Sequence, residues 1–205
     1  YRFDGVDVDS DTDVVRQKFT DASLPDYQVI EIETGEWLNF TRTFPNTVFT
    51  PYLRAGAGAD REFRLDVVTG NPLLPDQDTV PVGLFVASQT RTVYSYRYMP
   101  LTDAFGVVRS VNLSGQTTIQ LMATDVANDV NHNFLFFADA GAAESTLPWA
   151  IAANPGRAAK AVPADVEISV SLIDGDHPVD PDGITMLLDG NDVTGDLIGG
   201  PTNFY

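Results

Sequence analysis

The chain has 205 residues, 43% of them hydrophobic, and sets 29 acidic against 12 basic side chains for a formal charge of −17. That field repels nucleic acid, anionic membrane surfaces and other polyanions, and leaves calcium and neutral ligands as fitting partners. Cysteine is absent, which excludes a disulfide framework, Cys-ligated zinc and thiol catalysis, and no apolar run approaches membrane-spanning length.

Residues 1–13 hold Asp4, Asp7, Asp9, Asp11 and Asp13. The alternation makes Asp7, Asp9 and Asp11 candidate calcium ligands. The EF-hand pattern itself fails, with Thr12 where glycine is needed and Lys18 where the bidentate glutamate belongs. A solvated acidic loop is the competing reading. From Val14 onward the chain predicts short strands: Val14–Phe19, Tyr27–Glu33, Trp37–Phe44, Val48–Ala55, Glu62–Val68, Val80–Ala87, Thr90–Tyr98, Val107–Leu113, Thr117–Ala123 and Phe134–Ala138. Turn residues separate them at Pro45-Asn46, Gly56-Ala57-Gly58, Gly70-Asn71-Pro72 and Ser114-Gly115.

Within the third strand, Leu38, Phe40 and Phe44 point one way, and Trp37, Asn39, Thr41 and Thr43 the other. One aromatic on an otherwise polar face suits stacking against a sugar ring, whose flat side is apolar and whose rim is polar. Alternatively, Trp37 plugs a second, smaller core where a loop folds over the sheet. Tyr94, Tyr96 and Tyr98 share one strand face and form either a binding platform or cross-strand packing. Phe63, Leu65 and Val67 alternate with Glu62, Arg64 and Asp66. Half-buried strands at short spacing, without an amphipathic helix, predict an all-β fold of antiparallel sandwich type.

Residues 141–164, rich in Ala and Pro, read as a linker or arm in which Leu147, Trp149 and Ile151 dock on a neighbouring surface. Two more strands follow, Val166–Ile173 and Ile184–Leu188, with a turn at Asp189-Gly190-Asn191-Asp192. Residues 165–205 are expected to be a partial β-domain, too short for the roughly 7 strands of a closed sandwich. No GxSxG, Walker or GxGxxG pattern occurs, and His132 and His177 are the only histidines. Glu31 and Glu33 are expected to share a strand face near Glu36, where a carboxylate pair is more often solvated than catalytic. Asn39-Phe40-Thr41 and Asn112-Leu113-Ser114 match the N-glycosylation sequon.

The runs TGEWLNFTRTFP, PLTDAFGVVRSVNLSGQTTIQL and NHNFLFF together resemble family 6 carbohydrate-binding modules over residues 1–140. The resemblance implies a jelly-roll β-sandwich, stabilisation by calcium, no catalysis, and sugar bound at a loop-rim cleft or on a concave sheet face. By position it puts Asn131 at the rim-cleft asparagine, Trp37 at the concave-face tryptophan and Tyr1 near the rim tyrosine. It departs from the family in lacking a second rim aromatic and the first-strand Glu-x-Glu. The later run VDPDGITMLLDGNDVTG resembles the start of bacterial immunoglobulin-like modules.

Two functions are expected. The first is a non-catalytic carbohydrate-binding module of a larger secreted, extracellular bacterial protein, with Trp37 or Tyr96 stacking on a glycan and Asn39 and Asn131 hydrogen-bonding its hydroxyls. The second is a structural subunit of an extracellular fibre or surface assembly, its two incomplete ends completed by other copies of itself through strand exchange or end-to-end packing.

Overall fold

The computed structural model describes residues 2–4, 7–8, 28–127, 129–141, 147–157, 159–200 and 202–204, with side-chain surroundings from residue 28 onward. The chain forms two units, Tyr1–Thr102 with Val108–Ala143, and Asp103–Val107 with Glu144–Tyr205.

In the first unit the strands are β1 (Arg2–Asp4), β2 (Asp7–Val8), β3 (Val29–Ile30), β4 (Trp37–Ala57), β5 (Arg61–Val68), β6 (Thr79–Ala87), β7 (Arg97–Pro100), β8 (Val111–Asp125) and β9 (Val130–Gly141). All pairings are antiparallel. The early part of β4 lies between β1 and β8, and β8 continues the sheet through β5 to β6. Its later part lies between β9 and β7, and β9 continues through β3 to β2. One strand thus serves both layers of an antiparallel jelly-roll β-sandwich. Leu38, Phe63, Leu65 and Phe85 from one layer meet Leu53, Ala55, Met99 and Val130 from the other in a single core.

The expected breaks at Pro45-Asn46 and Ser114-Gly115 end no strand. Both fall at one irregularity, where the β4–β8 register shifts between Phe44 and Thr47 and Phe44 stands opposite Gly115. Proline has no N–H for the ladder and is accommodated at a bulge; Gly115 takes φ +64, a left-handed conformation that suits glycine. The two long strands bend there instead of stopping. Phe44, Phe49 and Phe137 fill the bend edge to face, with centroids 5.2–6.1 Å apart.

Other expectations change as well. Thr90–Tyr98 is mostly irregular, with only Arg97–Pro100 in a strand. The 90–96 segment is pinned instead by Thr90, whose hydroxyl accepts from Ala57 N at 3.0 Å and donates to Ala57 O at 2.9 Å. Val14–Phe19 lies outside the described residues.

The second unit has a three-stranded antiparallel sheet of β10 (Trp149–Asn154), β11 (Ser169–Ile173) and β14 (Asn203–Phe204). A short hairpin joins β12 (Leu187–Leu188) to β13 (Asn191–Asp192). Asp189 and Gly190 make its turn at φ +51 and +82, the left-handed pair that a two-residue hairpin requires. The stretch 141–164, expected as a linker, therefore contains a strand. Its alanines hide the fact that Trp149 and Ala150 are buried and pair with Ile173 and Leu172.

Candidate functional site

Antiparallel pairing gives each sheet one face toward the core and one away from it. The two outer faces of the first unit differ.

The outer face of the β4–β8–β5 layer carries the expected residues Trp37 and Asn39. The register sets Asn39 opposite Gln120 and Thr41 opposite Thr118, and Gln120 opposite Asp66. Trp37 is 7% exposed and Asn39 2%, so neither presents an open surface. The cause at Asn39 is the 69–78 segment, which folds over the face. Asn39 Nδ2 donates to Gln77 Oε1 at 2.9 Å, and Gln120 Nε2 donates to the same oxygen at 3.0 Å. Asn39 Oδ1 is buried without a hydrogen-bond partner. Trp37, expected as a stacking platform, is buried, and on the polar face that periodicity identified the loop closes over Asn39. The sequon at Asn39 is closed off for the same reason.

The outer face of the β9–β4–β7 layer is open. Residues 134–137 read Phe-Leu-Phe-Phe, and the two-residue period turns only half of them inward. Leu135 and Phe137 pack against the core, and Phe134 and Phe136 face out. Tyr52 stands opposite Phe136 across β4–β9, with ring centroids 6.2 Å apart. Arg54 stands opposite Phe134 on one side and Tyr98 on the other. The Phe134 and Tyr98 rings are also 6.2 Å apart, with the buried Arg54 guanidinium 5.5 Å from the Phe134 centroid. Phe134, Phe136 and Tyr98 are 39%, 50% and 55% exposed.

Electrostatics sets this face apart. The 21 residues of β4 include no Asp or Glu, nor does β7, and β9 has none before Asp139. In a chain with 29 acidic residues, the strands of the aromatic face supply no carboxylate before Asp139. Arg54 is its cation, held over the Tyr96 ring at 4.8 Å and hydrogen-bonded through Nη1 to Asn133 Oδ1. Such a rigid array offers flat apolar area rimmed by hydroxyl and amide groups.

The expected residues thus separate. Trp37 and Asn39 lie on the covered face, while Tyr96 borders the open one, its hydroxyl donating to Gln28 Oε1. Asn131 is buried in β9 opposite Gly56. A Cβ on Gly56 would come within 2.3 Å of Val93 O, which shows how tightly the 90–96 segment lies against β4 there. Phe134, Phe136 and Tyr52 were missed, although the unbroken FLFF run signals outward aromatics.

The expected acidic sites also change. Asp7 is a strand residue whose backbone pairs with Ile30; Asp9 and Asp11 lie outside the described residues. Among the described residues no group of three or more carboxylate or histidine side chains converges as a metal site would need. Glu31 and Glu33 do not share a strand face, because β3 ends at Ile30 and Glu31 turns into the left-handed region at φ +56. Glu36 Oε2 instead accepts from Glu33 N at 2.9 Å and closes the turn into β4.

No family model and no curated protein matches the chain. Several solved structures do. A family 6 carbohydrate-binding module from Clostridium cellulolyticum in complex with xylose aligns over 67% of this chain and 89% of its own, at 17% identity and a TM-score of 0.44. A β-1,3-glucan-binding module of the same family from Bacillus halodurans aligns over 67% and 88%, at 12% identity and a TM-score of 0.47. The module CsCBM6-3 from Clostridium stercorarium, in complex with cellobiose, aligns over 68% and 88%, at 13% identity and a TM-score of 0.47.

Proposed function

We propose that the first unit is a non-catalytic carbohydrate-binding β-sandwich whose contact surface is the outer face of β9, β4 and β7. The observation that carries this reading is the set Tyr52, Phe136, Phe134 and Tyr98, four rings fixed by strand register around one buried arginine. A sugar ring has an apolar C–H face for such a surface and hydroxyls for groups at its rim, here Tyr98, Tyr52 and Asn133. Missing carboxylates favour the same ligand, since hydrated anions would hold water between ring and ring. A neutral polysaccharide outside a bacterial cell is the partner this reading supplies, as one part of a larger secreted protein.

The test is depletion of the full chain from solution by insoluble polysaccharides, followed by calorimetry with soluble fragments. Phe136→Ala and Tyr98→Ala should each weaken binding about tenfold, within the worth of a stacked ring, while leaving the unfolding midpoint nearly unchanged. Wild-type binding that both variants retain in full would remove this face from consideration.

A second reading has one observation in its favour: Phe134 and Phe136 carry no polar atom, as suits a patch that packs on protein. In that reading the face docks another copy in an extracellular assembly. Sedimentation velocity over a hundredfold concentration range separates the two, because only docking between copies makes the sedimentation coefficient rise and Phe136→Ala abolish the rise.

A further inference from the structure

The β12–β13 hairpin of the second unit is a sheet without a third strand. We propose that it takes one from a different protein, an extended segment in which lysine or arginine alternates with apolar residues. The proposal concerns the second unit alone and is independent of the aromatic face. Leu187 pairs with Asp192 and Leu188 with Asn191, and among the described residues no further strand joins them. A lone two-stranded hairpin is marginal in water and is stabilised by a third strand.

The hairpin is nonetheless built with a defined register. Met186 N donates to Thr194 Oγ1 at 2.9 Å, Val193 N to Met186 O at 2.9 Å, and Thr194 N to Asp192 Oδ1 at 2.9 Å. With the left-handed Asp189-Gly190 turn, these bonds order the edge before any partner arrives, which lowers the entropy lost on binding. What the segment lacks is cover. None of residues 174–198 is buried, and Leu187, Leu188 and Ile198 are 61%, 45% and 64% exposed. Neighbours in a strand point to opposite faces, so leucine shows on both faces of the hairpin. Native sheets guard a free edge with lysine, proline or a bulge, and the run Met186-Leu187-Leu188 has none of these. An ordered, apolar, unguarded edge is a template for strand addition.

Charge selects the occupant. Residues 161–205 hold nine Asp or Glu side chains and no Lys or Arg. Asp189 follows Leu188 directly, and Asp192 stands opposite Leu187 on the same face. A second copy would set these carboxylates against its own, in a chain of formal charge −17, and like charges across a strand pair oppose pairing. A strand of alternating basic and apolar residues reverses that sign. On the Leu188 face it lays down its apolar side chains. On the other face its lysine or arginine stems cover Leu187 while the charged heads reach Asp192.

The experiment uses the full chain and, as probe, a fluorescein-labelled synthetic peptide of alternating lysine and valine, followed by anisotropy. The wild-type chain should bind it, and should bind neither the glutamate–valine counterpart nor the same peptide N-methylated at alternate valines, which keeps the charge but cannot pair as a strand. Leu187→Ser with Leu188→Ser should weaken binding about tenfold, as should Asp189→Asn with Asp192→Asn. The asparagine pair keeps the hairpin, because asparagine tolerates the left-handed turn position and its Oδ1 still accepts from Thr194 N. Phe136→Ala should bind as the wild type does, which separates this edge from the aromatic face. Absence of binding to the lysine–valine peptide overturns the proposal, as does binding that the N-methylated peptide or either double variant retains in full. A sedimentation coefficient that rises with protein concentration, and ceases to rise in Leu187→Ser with Leu188→Ser, assigns the edge to a second copy and overturns it as well.

Discussion

Arg64 and Asp66 form a two-pronged ion pair within a single strand, Nε to Oδ1 and Nη2 to Oδ2, both at 2.7 Å. They are two residues apart on the outer face of β5, where the period of the strand brings them side by side. Asp66 is fully buried and also accepts from Thr79 Oγ1 at 3.1 Å. The hydrogen bond to Asp66 holds the Arg64 guanidinium above its ordinary value against the opposing pull of burial. Removing one partner leaves a charge stranded in a partly buried setting. Asp66→Ala should therefore destabilise the first unit by about 3–5 kcal/mol in chemical denaturation, whereas replacing both residues with apolar ones of similar volume should cost much less.

A second expectation concerns Gly83 of β6. A Cβ there would lie 2.6 Å from Leu101 Cγ and 2.9 Å from Leu101 Cδ2. Leu101 is fully buried in the core, so its side chain has little room to yield. Gly83→Ala should cost about 1–3 kcal/mol through overpacking, read as a lowered unfolding midpoint. Adding Leu101→Val should return part of that loss, and additive costs would show that the two sites do not share the space.

His132 supplies a pH dependence. It is buried edge-on against Phe63 with centroids 6.0 Å apart, its Nδ1 has no hydrogen-bond partner, and Glu36 lines the same small crevice. Burial lowers its pKa from 6.5 to about 4. Between those values the unfolded chain binds a proton that the folded one refuses, so the stability this group contributes is complete above about pH 6.5. It is lost progressively as pH falls toward 4, a difference on the order of 3 kcal/mol. Denaturation midpoints measured from pH 7 to pH 4 should fall accordingly. In His132→Phe the fall should be shallower by that amount.

The strand content of the first unit was readable because alternation is written residue by residue: Phe63, Leu65 and Val67 against Glu62, Arg64 and Asp66. What covers a face is not written that way. Asn39 was placed on the correct side of β4, but whether it meets water depends on Gln77, 38 residues further along the chain. The same limit made Pro45-Asn46 and Ser114-Gly115 read as turns that separate strands. Each pair of residues permits a turn or a bulge, and only the pairing of β4 with β8 selects the bulge. The tyrosine run drew attention toward Tyr96, whose ring lies against Arg54, and away from Phe134 and Phe136. In residues 141–164, alanine content masked a strand because Trp149 and Ala150 gain their burial from β11 and not from neighbours in sequence.

Because β4 belongs to both layers, neither sheet of the sandwich can be lost alone. Its 21 residues hydrogen-bond to β1, β7, β8 and β9, and a break anywhere along it unravels partners on both sides of the core. Chemical denaturation should therefore proceed in one step for this unit, with the two layers sharing a single unfolding event. A protease would find no place to nick β4 that left half of a native protein behind.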